Sequence, residues 1–213
     1  MQGAKDDIIN LPKELAAFLK TDFAQAVHRI DVPVTGCALF AVTKPALVFL
    51  YDAFSKRDEN SIEKRYWAIT EKPPFLQQGL TGQLTSKTGE LHHWIETKAG
   101  RNKSFAFNED GQGRKKASLR YNILGEGKNY LFIEIELLSG RHHQIRAQLA
   151  AVGLHIKGDV KYGAKRSEKD GGIRLHARSL TFPNPIDKDQ KISVTADPPL
   201  MDNLWVDFMK TSV

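Results

Sequence analysis

The stretch from 117 to 138 constrains the fold more than any other. "ASLRYNIL" and "NYLFIEIELL" flank "GEGK", a short turn-forming segment, and together they read as a β-hairpin. In the second arm Leu131, Ile133, Ile135 and Leu137 share one face, while Glu134 and Glu136 point the other way. A ribbon with one apolar face must lay it on a core, so the hairpin calls for a larger sheet with something packed on it.

The remaining elements supply both. "CALFAVT" (37–43) reads as a buried strand, and "RYWAIT" (65–70) and "LHHWIETKA" (91–99) read as strands too. "RLHARSLTFPNP" (174–185) alternates Leu175 and Ala177 against His176 and Arg178, as a strand does. Thr43 suits a helix cap with Pro45 in the first turn, followed by Leu47, Leu50, Tyr51 and Phe54 at helical spacing. "INLPKELAAFLK" reads as a helix start. "PPLMDNLWVDFMK" reads as an amphipathic helix with Met201, Leu204, Trp205, Phe208 and Met209 on its apolar side. At 213 residues, 41% of them apolar, the chain has enough material for one domain or two small ones.

Several classes are disfavoured. No run of about 18 apolar residues is present, so a helical membrane span is not expected. "MQGAKDDIIN" lacks the basic and apolar segments of a secretory signal. Cys37 is the one cysteine; a small buried residue and a reducing cytoplasm are the expectations for it. A net charge of +6 favours an anionic partner such as nucleic acid. Basic residues concentrate in "GRKKASLR" (113–120) and "KYGAKRSEKD" (161–170), which alone read as solvated loops, as does "FNEDGQGRKK" (107–116). Neither a nucleotide-binding glycine loop nor a metal-binding motif occurs, and no metal or cofactor is expected.

Two segments carry chemistry. "AVHRIDVPVTG" (26–36) places His28, Arg29 and Asp31 just ahead of an apolar run, either as a solvated loop or as a charge delivered to a site. "SGRHHQIRAQLAAVG" (139–153) reads as a helix with an Ile145, Leu149, Val152 stripe, leaving Arg141, His142, Gln144, Arg146 and Gln148 to project elsewhere. An Arg at position 146, beside a core strand, cannot be buried without an anion.

The blocks "HRID-VPVTG-CALFAVTK", "KRYWAIT", "SGRHHQIRAQLAAVGLHIKGDVKYG" and "RLHARSLTFPNP" resemble, in order and spacing, the RluA-type pseudouridine synthases. The resemblance spans roughly residues 26–185. It implies an α+β fold: a mixed, mostly antiparallel sheet with packed helices and an RNA-binding catalytic cleft. It also implies isomerisation of uridine to pseudouridine, in ribosomal or transfer RNA, without metal or nucleotide cofactor. Carried over by position, Asp31 is the catalytic aspartate, Tyr66 packs on the target base, and Arg146 pairs with the aspartate. Arg29 helps fill the space left by the extruded base. His28, Arg141, Gln144, Lys115, Lys116 and Lys161 complete the expected RNA-contacting set.

Some features depart from the family pattern. The turn is VTG where TSG is usual, and FPNP stands where the family ends F-x-HP. The upstream strand with a KPxG-type turn is not found in the 27 residues before His28, nor is an S4-type domain, so residues 1–213 are expected to be one catalytic domain, N-terminally truncated or lacking that strand. A monomer is expected. Two other readings remain open: a catalytically silent RNA-binding module of the same fold, and a glycosidase that uses Asp31 to release free base.

Overall fold

The computed structural model describes residues 10–55, 62–73, 86–199 and 202–211. Its first part holds α1 (Leu11–Leu19), β1 (Gln25–Ala26), β2 (Thr35–Gly36), β3 (Phe40–Ala41) and α2 (Lys44–Ser55). Five strands follow: β4 (Glu63–Glu71), β5 (Thr88–Lys98), β6 (Lys103–Phe107), β7 (Lys115–Glu126) and β8 (Tyr130–Leu137). Then come α3 (Gln144–Ala151), β9 (Leu175–Pro183), β10 (Lys191–Thr195) and α4 (Asn203–Thr211). Seven strands run in the order β10-β9-β4-β8-β7-β5-β6, with every neighbouring pair antiparallel. β2 adds a parallel pairing to β9, which makes the eight-stranded sheet mixed and mostly antiparallel.

The hairpin read from the sequence is β7–β8, and its faces divide as the alternation requires. Leu131, Ile133 and Ile135 join Tyr66 and Ala68 of β4 and Ile145 and Leu149 of α3 in the main core. Phe132 points the other way and meets Trp67, Ile69, Trp205 and Phe208 beneath α4. The Trp67 and Phe208 rings meet edge-on at 4.6 Å, a favoured aromatic geometry. A third cluster joins α2 to β9 through Leu47, Leu50, Ala53, Leu180 and Phe182.

Several expectations need correction. The run 37–43 yields only the two-residue β3, because Cys37 bonds across to Ala177 O (2.9 Å) and the chain then turns to pair with β1. Cys37 is half-buried rather than buried. Residues 115–120 are not a loop but the first half of β7. The helix expected from 139 starts only at Gln144, since His143 adopts a left-handed φ of 51° ahead of it. The Thr43 cap holds, with the Ala46 N–H donating to Thr43 Oγ1 at 3.3 Å. Tyr51 lies 44% exposed, and Ala53 takes its place on the buried stripe. His176 alternates with Leu175 and Ala177 as read, yet it is fully buried because α4 covers the second face. Met201 lies outside the described residues.

One glycine decides where Asp31 sits. Gly36 has φ +111°, and a Cβ there would fall 2.2 Å from Ala177 O. Only glycine lets β2 approach β9 this closely. The same segment is tied by the Val34 N–H to Asp31 O (2.9 Å) and by the Ile173 N–H to Pro33 O (3.0 Å). Gly36→Ala should therefore lower the urea-unfolding free energy by about 1–3 kcal/mol. Unchanged stability would show that the turn shifts freely.

Candidate active site

A cleft of about 910 Å3 opens beside α3. Its walls are the loop bearing Asp31, the end of α2, β4, and the connection from β8 into α3. Asp31 and Arg146, 115 residues apart in sequence, meet here: Arg146 Nη1 donates to Asp31 Oδ2 at 3.3 Å.

Arg146 is held harder by a residue that the sequence reading quoted but did not single out. Its Nε and Nη2 donate to the two carboxylate oxygens of Asp159, each at 2.7 Å. This is the bidentate fork that suits a guanidinium. Arg146 is 5% exposed and Asp159 1%. The Arg146 guanidinium also lies 4.8 Å from the Tyr162 ring centroid, a cation–π contact. Burial opposes its charge, but the hydrogen bonds and charge of Asp159, and then of Asp31, outweigh burial and raise its pKa. The signal for Asp159 was present in "KGDVKYG". Gly158, at φ +90°, allows a turn in which a Cβ would meet Gly172 O at 2.9 Å, and Asp159 follows directly.

His143 contacts the same carboxylate. Its Nε2 is 3.6 Å from Asp31 Oδ2, and its Nδ1 is 2.9 Å from Tyr162 Oη. Tyr162 Oη also accepts the Ser104 N–H at 2.9 Å; the Asp31 carboxylate opposite Nε2 can only accept, which favours Nδ1 as the acceptor of the Tyr162 hydroxyl proton. The imidazole proton is accordingly assigned to Nε2, facing Asp31. Burial, followed by the positive charge of Arg146, pushes the His143 pKa down to about 3, so the ring is neutral. His142 stacks on it at 3.8 Å and bonds Ser104 Oγ through Nδ1. Tyr66 is 7% exposed, and its ring lines the cleft. Burial, then the charges of Asp31 and Cys37, raise its pKa, so the hydroxyl keeps its proton. Among the described residues no group of three or more His, Cys, Asp or Glu is arranged for a metal ion.

The comparisons with known proteins bear on this arrangement. Residues 6–151 match the family described as RNA pseudouridylate synthase. An uncharacterized RNA pseudouridine synthase of Zymomonas mobilis is 31% identical over 201 residues, 93% of this chain and 84% of that one. This chain belongs to the RNA pseudouridylate synthase family. Ribosomal large subunit pseudouridine synthase D of the same bacterium is 31% identical over 172 residues, 77% of this chain and 50% of the relative. The chain thus spans about half the length of several curated relatives that it matches. Two human structures share the fold: RNA pseudouridylate synthase domain containing 4 (TM-score 0.68, 21% identity, 94% of this chain and 81% of that one) and domain containing 1 (0.65, 22%, 89% and 74%).

In this member of the pseudouridylate synthase family, Asp31, Tyr66 and Arg146 are brought to one cleft, with Arg29, Lys116 and Arg141 on its walls. Lys115 and Lys161 are exposed outside that lining. Two residues expected to contact RNA line the cleft as well but also carry internal hydrogen bonds. His28 Nε2 accepts the Leu39 N–H at 3.1 Å, its ring packs on Phe54, and burial pushes its pKa down to about 4. Gln144 uses its whole amide inside the protein. Its Oε1 accepts from Ser139 Oγ and Arg141 N, and its Nε2 donates to Ser118 O and Gln148 Oε1.

Two outcomes follow from this geometry. Asp159→Asn should cost about 3–5 kcal/mol in urea unfolding, since it leaves a buried guanidinium half-answered. Asp31→Asn should cost about 1 kcal/mol or less, because Asp31 is more exposed and makes one longer bond. Equal costs would mean that Arg146 depends on both carboxylates alike. Acid sensitivity is the second. His28 and His143 resist protonation when folded, to about pH 4 and about pH 3, but take a proton near 6.5 when unfolded. The unfolded chain therefore binds more protons below pH 6.5, and stability should fall steadily from there to about pH 4. His143→Gln should flatten that decline in urea titrations, and an equally steep decline would place the proton uptake elsewhere.

Proposed function

We propose that this chain isomerises uridine to pseudouridine in RNA, with Asp31 acting at C1′ of the target nucleotide. The observation that carries this reading is Asp31 itself: one carboxylate in a large cleft, bonded by Arg146 with His143 3.6 Å away, yet still open to a ligand. The isomerisation breaks N1–C1′, turns the base, and forms C5–C1′. The C5 proton is lost and N1 gains one, so nothing is added or removed overall. A single carboxylate suffices because no water has to be activated, unlike the paired acids of a glycosidase. Asp31 either attacks C1′ or removes the 2′ proton, and both routes need its lone pairs aimed by Arg146 and His143.

Tyr66 packs against the base. Its hydroxyl is a poor base while protonated, so packing and hydrogen-bond donation are its contributions. The target uridine must leave its stack at a cost of a few kcal/mol, offset by the Tyr66 ring and by Arg29 filling the gap. Arg141 and Lys116 in the cleft, with Lys115 and Lys161 outside it, suit the phosphates of a folded ribosomal or transfer RNA. We infer that the chain acts alone, without cofactor, in a reducing cytoplasm.

The test is tritium release from RNA labelled at C5 of uridine. The chain should release tritium and form pseudouridine. Asp31→Asn should fall to background while still binding RNA, because phosphate contacts carry most of the affinity. Free uracil among the products would favour a glycosidase, and binding without release would favour a silent module. Turnover surviving in Asp31→Asn would remove Asp31 from the chemistry.

A further inference from the structure

The mechanism above leaves one buried charge in the cleft unused. Lys64 is 9% exposed and is the only buried lysine among the described residues. It lies on β4 two positions before Tyr66, so both side chains leave the same face of the strand and line the same cleft. No carboxylate among the described residues pairs with it. The three acids of the cleft wall are engaged elsewhere: Asp31 with Arg146, Glu63 with Lys191 (3.5 Å), and Glu136 with Arg120 (3.4 Å). Its one close partner is the Phe54 ring, 5.2 Å from Nζ.

Among the described residues this buried ammonium has only an aromatic face beside it and is under-compensated. Burial lowers the Lys64 pKa, and no neighbouring acid reverses that. The positive charge also helps to keep His28 neutral, so the adjacent ring cannot answer it. Such an arrangement costs folding energy unless a ligand brings the missing negative charge.

We propose that Lys64 is the anchor for a phosphodiester of the substrate RNA, the one flanking the nucleotide whose sugar stands at Asp31. This rests on the reading of the cleft as an RNA-modifying site. Spacing selects a phosphate over the base. Two residues along a strand are about 6.6 Å apart. Tyr66 and Asp31 line the cleft together, while Lys64 lines it beside Phe54 at the end of α2. Base and sugar therefore belong at the Tyr66–Asp31 end. The Lys64–Phe54 end is then left for the backbone.

Lys64→Met keeps the length and burial of the stem and removes the charge. The experiment uses the full chain and a fluorescent stem-loop RNA with unpaired uridines in its loop, with affinity followed across potassium chloride concentrations. The log–log salt slope should fall by about 0.7–0.9 relative to wild type, the signature of one lost phosphate contact. Lys64→Arg should restore most of the slope. Without RNA, Lys64→Met should melt at the same temperature as wild type or higher, because an unanswered buried charge has gone.

An unchanged slope with lost turnover would place Lys64 on the base and overturn the proposal. A lowered melting temperature in Lys64→Met would show a structural charge instead, and overturn it too. Failure of the wild type to bind the probe in a salt-dependent manner would do the same. Binding is measured separately from tritium release. A wild type that binds with the expected slope but forms no pseudouridine would sink the catalytic reading while leaving the phosphate anchor standing.

Discussion

A guanidinium buried to 5% exposure has to be answered, and the way Arg146 is answered organises the cleft. Two of its nitrogens are spent on Asp159 in a closed fork and one reaches Asp31. The main core holds α3 against the sheet, so Arg146 cannot withdraw to solvent. Asp159 cannot withdraw either, since its turn is shaped by Gly158 and continues into Tyr162, whose ring contacts the guanidinium. Asp31 is pinned from the other side by Gly36 packed on β9. Two backbone positions that no other residue fits thus converge on one ion pair.

Much of this was legible in the sequence because it follows short-period rules. The β7–β8 alternation and the Thr43 cap are local, and the fold kept them. The need of Arg146 for an anion was legible too, since burial of a charge is a constraint that propagates from one residue. What local patterns did not reveal was which anion. Asp31 and Asp159 are both short acids beside a turn, and only the three-dimensional approach shows that Asp159 takes the fork.

What else the sequence did not show shares a cause. Gln144 and His28 look like surface polar groups in a basic segment, yet each is spent on the main chain of a distant element, Gln144 on Ser118 and His28 on Leu39. Such bonds join parts of the chain that no periodicity connects. The apolar run at 37–43 failed as a strand for a related reason. Its hydrophobicity is satisfied by packing under α2, so the backbone needs only two residues of pairing there. His143 was passed over because no local pattern marks it out from its neighbours. Its meaning lies instead in the left-handed backbone that starts α3 and turns the ring toward Asp31.

The charges of the cleft add to a pattern that suits its proposed substrate. Arg146, Asp159 and Asp31 together carry one net negative charge. His143 is neutral, and Tyr66 and Tyr162 keep their protons, Tyr162 with its pKa pushed up to about 12. The uncancelled charge rests on Asp31, where in the proposed reaction the sugar would gain positive character as N1–C1′ breaks. Lys64, two residues along β4 from Tyr66, supplies the opposite sign. A nucleotide presents the complementary polarity: a carbon that becomes electron-poor at one end and a phosphate at the other. Had Asp31 taken the Arg146 fork itself, the pair would have been neutral and the pull on C1′ largely cancelled. By closing that fork, Asp159 leaves Asp31 oriented by a cation without being neutralised by it.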